Sequence, residues 1–289
     1  MKKPEVLVEP LPRFLLAEAV TRALAEDMGR AGDLTTAATV PASARAHALL
    51  VSREAGRIAG LDLCSAAFHA LDPSIEIAVM IPDGANVAAH ETVAIITGPA
   101  RPILSAERVA LNFLGHLSGI ASATARLVER VTGTGARITC TRKTTPGLRA
   151  LEKYAVRCGG GFNHRFALDD GILIKDNHIV AAGSITSAIR AARQHAGHMI
   201  HVEVEVDTLD QLNEALTAGA NAILLDNMNP DMLREAVQRT ADRAILEASG
   251  NISIDTIAAV AATGVNLISS GAITHSARCL DLGLDFDKL

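Results

Sequence analysis

Cationic side chains crowd one stretch of the chain: Arg142, Lys143, Arg149, Lys153, Arg157, Arg165 and Lys175, with His164 and His178 among them. Arginine offers a planar fork suited to carboxylate or phosphate, and lysine a compact point charge. Carboxylates follow, in His201-Val-Glu203-Val-Glu205-Val-Asp, in Leu225-Asp226-Asn227 and at Glu247. Two Ser/Gly turns come last, Ser249-Gly250-Asn251 and Ser270-Gly271-Ala272. Neighbouring carboxylates suit Mg²⁺ shared with substrate phosphates rather than an all-protein cage. Hydroxyls and backbone N–H groups at late turns suit a phosphate. Together the three groups describe a pocket for two anionic substrates. Physical chemistry alone does not name them.

Each group also has a plainer reading. Arg149, Lys153 and Arg157 recur at helical spacing with Glu152 among them, which suits a solvated helix face. Arg142, Lys143 and Lys175 follow apolar strands, where a lone charge is costly, so a functional role is favoured for these three. Glu203 is as well explained by pairing with a buried Lys or Arg. Glu205 and Asp226 read as site residues. One Ser-Gly pair is ordinary turn chemistry, but two after consecutive late strands point further.

These residues need strands to hold them. From about residue 130 onward, short apolar runs alternate with helical stretches. Arg137–Thr141, Gly171–Lys175, Ile200–Val206, Ala222–Leu225, Ala244–Glu247 and Asn266–Ser269 read as strands. Helices are expected around Leu148–Arg157, Ser184–His195, Thr208–Ala218 and Asp231–Arg239. Such alternation implies a parallel sheet covered by helices, with chemistry at the C-terminal strand ends. In 201–206 the valines share one face, so the glutamates face the other, Glu205 nearer the mouth.

The first hundred residues differ. Leu15–Met28 reads as a helix stopped at Gly29, and Ala48–Ser52, Ile75–Met80 and Thr92–Thr97 as strands, with a turn at Pro82-Asp-Gly and a close at Gly98-Pro99. Pro102–Val131 reads as a long helical region, broken near Gly115 or Gly119. The fold class expected is α/β: an incomplete, open α/β barrel with an N-terminal α+β domain. A doubly wound open sheet is the second choice. The domains are expected at 1–115, at 116–275 with the active site, and at 276–289 as a C-terminal segment packing back on the first.

Bulk properties exclude several classes. Aromatics are only 2%, which argues against base-stacking platforms and for an aliphatic core. The net charge of −5 makes any anion site local, so no nucleic-acid partner is expected. The four cysteines are scattered, which indicates neither zinc nor a disulfide framework. No apolar run reaches membrane length and none follows Met1-Lys-Lys-Pro-Glu5, so a cytoplasmic protein without membrane contact is expected.

At Thr141-Arg-Lys-Thr-Thr-Pro-Gly-Leu-Arg, Gly159-Gly-Gly-Phe-Asn-His-Arg and Leu168-Asp-Asp-Gly-Ile-Leu-Ile-Lys-Asp-Asn-His, the sequence closely resembles the quinolinate phosphoribosyltransferases. The likeness continues in Val202-Glu-Val-Glu-Val, Leu224-Leu-Asp-Asn-Met, Leu246-Glu-Ala-Ser-Gly-Asn-Ile and Gly271-Ala-Ile-Thr-His-Ser. It appears earlier in Glu26-Asp-Met-Gly-Arg-Ala-Gly-Asp-Leu-Thr-Thr and Glu107-Arg-Val-Ala-Leu-Asn-Phe-Leu-Gly-His-Leu-Ser-Gly-Ile, and so spans nearly the whole chain. Ala167 departs from the pattern, where Gly is expected.

The resemblance implies phosphoribosyl transfer from phosphoribosyl pyrophosphate to quinolinate, with decarboxylation to nicotinate mononucleotide, in NAD biosynthesis. It implies Mg²⁺ and a homodimer with a shared site, or a higher assembly of such dimers. By position, Arg108 would reach the partner's pocket, while Thr141, Arg142, His164, Arg165 and Lys175 would surround quinolinate. Lys143, Glu205 and Asp226 would serve ribose, pyrophosphate and metal. Ser249, Gly250, Asn251, Ser270, Gly271 and Ala272 would hold the 5′-phosphate. The residues alone leave Arg108 readable as an ordinary exposed helix residue and His164 as a structural loop histidine. The proton that replaces CO₂ is open between a lysine and water. Rival readings are a paralogue acting on another anionic ring, a Schiff-base aldolase using Lys175 or Lys143, and a non-catalytic phosphate-binding module.

Overall fold

The computed structural model describes residues 8–286, so the Met1–Glu5 start lies outside the described residues. In chain order the first elements are α1 (Arg13–Met28), α2 (Leu34–Thr39), β1 (Arg45–Ser52), β2 (Gly56–Arg57), α3 (Leu61–Leu71), β3 (Glu76–Val79), β4 (Asn86–Val87), β5 (Thr92–Pro99) and α4 (Ala100–Arg130). Then come β6 (Arg137–Thr139), α5 (Arg149–Cys158), β7 (Ile172–Ile174), α6 (Asp176–Ala182), α7 (Ile185–His195), β8 (Val202–Val206) and α8 (Leu209–Thr217). The last are β9 (Ala222–Asp226), α9 (Pro230–Thr240), β10 (Ile245–Ser249), α10 (Ile257–Ala261), β11 (Leu267–Ser269), α11 (Ala272–His275) and β12 (Leu282–Phe286).

Two compact units result. One comprises residues 1–123, 151–160 and 277–289; the other comprises 124–150 and 161–276. The boundary drawn from sequence at 115/116 falls inside α4, and most of α5 groups with the first unit.

In the first unit, strands in the order β12-β1-β5-β3 form an antiparallel sheet. α1 buries Leu16, Val20 and Leu24, one per turn, and ends at Gly29 with φ 53°, a conformation that favours glycine. The strand at Thr92 runs on through Gly98 and Pro99 rather than closing there. α4 is continuous over 31 residues and does not break at its glycines. Those glycines admit the C-terminal chain instead: Leu280 N–H donates to Gly115 O at 2.9 Å, and a Cβ on Gly119 would lie 2.1 Å from Arg278 O.

The solvated helix face expected for Arg149, Lys153 and Arg157 is overturned. Lys153 and Glu152 are fully buried, and neither lacks a partner. Leu151, Ala155, Val156 and Cys158 are buried around them, so α5 is enclosed on more than one face. Glu152 Oε1 lies 2.9 Å from His116 Nε2. Arg149 is tied by its guanidinium to Thr144 Oγ1 at 3.0 Å and Phe166 O at 3.3 Å.

The second unit holds a six-stranded sheet in the order β6-β11-β10-β9-β8-β7, every pair parallel. The edge strands β6 and β7 do not pair with each other, so the barrel is incomplete. Beyond β6 a further strand is reduced to one residue: Phe162 N–H donates to Ile138 O at 2.8 Å, and Cys140 N–H to Phe162 O at 3.1 Å. Val204 and Val206 are buried on the helix side of β8, with Leu212 of α8 and Ile189 of α7 also in the core. Burying such side chains contributes roughly 1.5–3 kcal/mol each. That leaves the other face of the strand to polar residues.

Capped helices keep the strand-to-helix connections short. Thr208 Oγ1 accepts from Gln211 N–H, while Gln211 Oε1 accepts from Thr208 N–H at 3.1 Å. Asn229 Oδ1 accepts from Asp231 and Met232 N–H at 3.0 Å, and Pro230 opens α9. α6 was not read from the sequence. It starts immediately after Lys175, and His178 Nδ1 accepts from Lys175 N–H at 2.9 Å.

Candidate active site

A cavity of about 390 Å³ opens at the C-terminal ends of the parallel strands. Its cationic lining comes from Arg142 and Lys143 after β6, from Arg165 before β7 and from Lys175 after it. Thr141 and His164 complete that side, and Glu205, Asp226 and Ser249 line the other. Of the strand-end residues singled out from the sequence, Thr141, Arg142, Lys143, Lys175, Glu205, Asp226 and Ser249 share this pocket.

Placement is less direct for the rest. Gly250, Asn251, Ser270, Gly271 and Ala272 follow β10 and β11 but are not among the residues lining the cavity. Ser270 is buried, and its N–H already donates to Thr139 O at 3.1 Å. Gly271 and Ala272 open the short α11, where the first helical amides lack internal acceptors. Arg108 belongs to the first unit and is exposed on α4.

The cations differ in how they are held. Arg165 donates from Nη1 to Gly171 O at 2.9 Å. Burial, then the neighbouring Arg142 cation, hold its guanidinium below the ordinary arginine value. Arg142 Nε is buried and has no hydrogen-bond partner among the described residues. Two crowded guanidiniums, one with an unmatched donor, suit an anionic substrate. Lys175 Nζ forms a short ion pair with Glu205 Oε2. Ala167 fits without strain: its N–H donates to Asp170 Oδ1 at 2.8 Å, and its φ is not positive.

Loop geometry on the far side is tight. Asn227 donates from Nδ2 to Asp226 Oδ2 at 2.6 Å, and its N–H donates to Ser249 O at 2.9 Å. Gly250 has φ 91°, and a Cβ there would lie 2.1 Å from Asn227 Oδ1. Only glycine allows the two loops to meet so closely. Thr274 Oγ1 donates to Lys143 O at 2.8 Å, which pins the loop carrying Arg142 and Lys143.

Sequence reasoning missed what lies beneath. Glu203 Oε2 lies 3.0 Å from His164 Nε2, and its charge also attracts the nearby Arg165. Glu247 Oε1 stands 3.7 Å from the same nitrogen. His164 Nδ1 accepts from Arg165 N–H at 2.8 Å, so the ring hydrogen sits on Nε2 and points at Glu203. That nitrogen therefore has no lone pair for a metal, although the three groups lie within 4.8 Å of one another. Glu247 is 2% exposed, and its Oε1 has no hydrogen-bond partner among the described residues. Burial first, then the charge of Glu203, push its carboxyl up to about 7. The signal available in sequence was a glutamate inside an otherwise apolar strand.

Comparison with known proteins agrees across the chain. Residues 33–118 match the quinolinate phosphoribosyl transferase N-terminal domain, and residues 120–285 match its C-terminal domain. The chain is 46% identical to a probable nicotinate-nucleotide pyrophosphorylase [carboxylating] of Bacillus subtilis, over 90% of this chain and 89% of the relative. It is 45% identical to the nicotinate-nucleotide pyrophosphorylase [carboxylating] of Mycobacterium leprae, over 93% and 96%. The solved nicotinate-nucleotide pyrophosphorylase of Francisella tularensis superposes with a TM-score of 0.91 at 38% identity, covering 97% of this chain and 99% of that one. With both domain models matched in order and the relatives covered almost end to end, the chain belongs to the quinolinate phosphoribosyl transferase family.

Proposed function

We infer that this chain transfers the phosphoribosyl group of phosphoribosyl pyrophosphate to quinolinate, with decarboxylation, giving nicotinate mononucleotide, pyrophosphate and CO₂ in NAD biosynthesis. The observation that carries this reading is the pocket itself: Arg142, Arg165 and Lys175 share one cavity with Glu205 and Asp226. The cations suit a dicarboxylate, and the carboxylates suit a sugar that becomes positive as pyrophosphate leaves.

Thr141, Arg142, His164, Arg165 and Lys175 hold the pyridine ring in this reading, with its nitrogen toward C1 of the ribose. Positioning then accounts for much of the barrier lowering. Lys143, exposed at the mouth, meets the pyrophosphate. Ser249, Gly250, Asn251, Gly271 and Ala272 hold the 5′-phosphate, with Ser270 positioning that turn from beneath. The nitrogen attacks, the C1–O bond breaks, and the adduct carries a quaternary nitrogen beside the 2-carboxylate. Loss of CO₂ leaves an electron pair at C2, stabilised by that adjacent positive nitrogen.

Glu205 and Asp226 supply hard oxygen donors from neighbouring strands, too few to enclose a cation alone. That donor set fits Mg²⁺ completed by substrate phosphates, which would neutralise charge on the leaving pyrophosphate.

We read the assembly as a homodimer in which the partner's copy of Arg108 completes the pocket, with larger assemblies built from such dimers. The cytoplasm is the compartment favoured, since the four cysteines are scattered along the sequence and Cys64, Cys140 and Cys158 are buried. No described helix is long and apolar enough to cross a membrane. The direct test is to mix the protein with quinolinate, phosphoribosyl pyrophosphate and Mg²⁺. Nicotinate mononucleotide and CO₂ should appear in equal amounts; absence of both would overturn the reading.

A further inference from the structure

A second cavity, of about 290 Å³, lies at the opposite end of the same strands. Ile172, Ala222, Ile245 and Leu267, at or near the starts of β7, β9, β10 and β11, line it, with the exposed His201 and Asp170. Glu205 and Ser249 line only the mouth, and Glu203 only the lower cavity, whereas His164, Arg165 and Glu247 line both. The barrel interior is thus divided by a thin polar layer with Glu247 in it.

We propose that Glu247 donates the proton that replaces CO₂ at C2 of the pyridine ring, and that it is reprotonated from the lower cavity. The proposal rests on the phosphoribosyl-transfer reading above. As the C2–carboxylate bond breaks, its electron pair stays at C2 and CO₂ departs. The C2–H bond forms as the Glu247 O–H bond breaks, leaving a carboxylate. Water entering the lower cavity, past His201 and Asp170, returns the proton before the next turnover.

Other groups lining the mouth are poorly suited. Arginine does not release a proton. Lys175 would give up the charge that pairs with Glu205. Lys143 is exposed, on the pyrophosphate side. Both nitrogens of His164 are engaged, one accepting from Arg165 and one donating to Glu203. Glu247 is buried with an oxygen unmatched, and its carboxyl titrates near 7, which suits a general acid at neutral pH. The groups facing it are Glu203 on β8, His164 and Arg165 on the loop before β7, and the Ser269 hydroxyl on β11. Arg142, Lys143, Lys175, Glu205 and Asp226 surround the pocket above.

The test begins with wild-type protein. Failure to form nicotinate mononucleotide would count against the function, whereas the variants below judge Glu247. Glu247→Gln keeps the shape but has no proton to give. Its kcat should fall by about 100-fold or more, within the range that general acids contribute. Quinolinate binding by calorimetry should stay within about threefold of wild type, since the cations are intact. The wild-type kcat/KM should drop as pH rises through about 7, because the acid must be protonated in the free enzyme. In Glu247→Gln that limb should vanish. A kcat within about threefold of wild type, or an unchanged limb, would overturn the proposal. A second variant, Glu203→Gln, removes the neighbouring charge and should move the limb to lower pH. If Glu247→Gln fails to fold, an unmoved limb in Glu203→Gln would overturn the proposal.

Discussion

Glu203 and Glu205 share the inward face of β8 yet meet different partners: Glu205 pairs with Lys175 at the mouth, and Glu203 lies 3.0 Å from His164 Nε2 beneath it. The period of two along a strand places both inward, and the depth of each along the barrel separates their tasks.

The first consequence concerns metal. Asp226→Ala and Glu205→Ala each remove a carboxylate at the mouth and no apolar core group. The Mg²⁺ concentration for half-maximal rate should rise about tenfold or more in each, the size expected for losing one charged ligand contact. Melting temperature of Asp226→Ala should move by no more than a few degrees, as for a surface-facing substitution. Normal Mg²⁺ dependence in both variants would contradict the assignment.

Substrate choice follows from the cations. Nicotinate offers one carboxylate to a pocket where Arg142 and Arg165 are already crowded and Arg142 Nε is buried without a partner. Leaving such donors unmatched is costly, so kcat/KM for quinolinate should exceed that for nicotinate by about 10⁴ or more. Comparable turnover of the two acids would refute the pocket as a dicarboxylate site.

Glu247 also ties stability to pH. Its carboxyl is raised from 4.5 to about 7 in the folded chain. Between those values the folded state holds a proton that the unfolded chain has released. The stability it contributes is fully present below pH 4.5 and lost as pH rises through about 7. Glu247→Gln has no such group. Its unfolding free energy, relative to wild type, should therefore rise between pH 5 and pH 8, by an amount of the order of 3 kcal/mol. Urea titrations at the two pH values measure this; a constant difference would show that Glu247 is not perturbed.

Much of this was legible in the sequence. Each parallel strand carried a short apolar run, and β8 showed its two faces by alternation alone. Lys153 was misread because helical spacing of charges looks the same on a solvated face as on one enclosed by neighbouring elements. Gly115 and Gly119 suggested a broken helix because local propensity penalises glycine. Their purpose is contact with a segment far along the chain, which no local pattern contains. The same limit hid the layer of His164, Glu203 and Glu247. Its members come from a loop and two strands, and only the closing of the sheet brings them together.

The α4 glycines give a stability test. A methyl at Gly119 would lie 2.1 Å from Arg278 O, a backbone atom that no side-chain rotation can move aside. Gly119→Ala gains helix propensity worth about 1 kcal/mol, yet overpacking against the backbone should outweigh it. The expected result is a net loss of about 1–3 kcal/mol on denaturant unfolding. Amide exchange should also quicken in β12, which follows the displaced segment and pairs with β1. A stabilised variant would mean that the close approach at Arg278 is absent in solution.

The most demanding prediction concerns Arg108. It is exposed on α4, and its neighbour Glu107 has its carboxyl raised by burial, against the pull of Arg108. If Arg108 completes the pocket of a partner subunit, each site draws Lys175 from one chain and Arg108 from the other. Arg108→Ala should then weaken quinolinate binding while leaving phosphoribosyl pyrophosphate binding largely intact. Lys175→Ala should be inactive through a different defect. In a mixed dimer of the two variants, one site collects both defects and the other collects neither. Purified inactive variants, exchanged and assayed together, should therefore recover activity, approaching about half the wild-type value per heterodimer if the sites act independently. Native mass spectrometry of the mixture verifies that exchange has occurred. Heterodimers that form and remain inactive would place Arg108 in its own subunit's site, or in none.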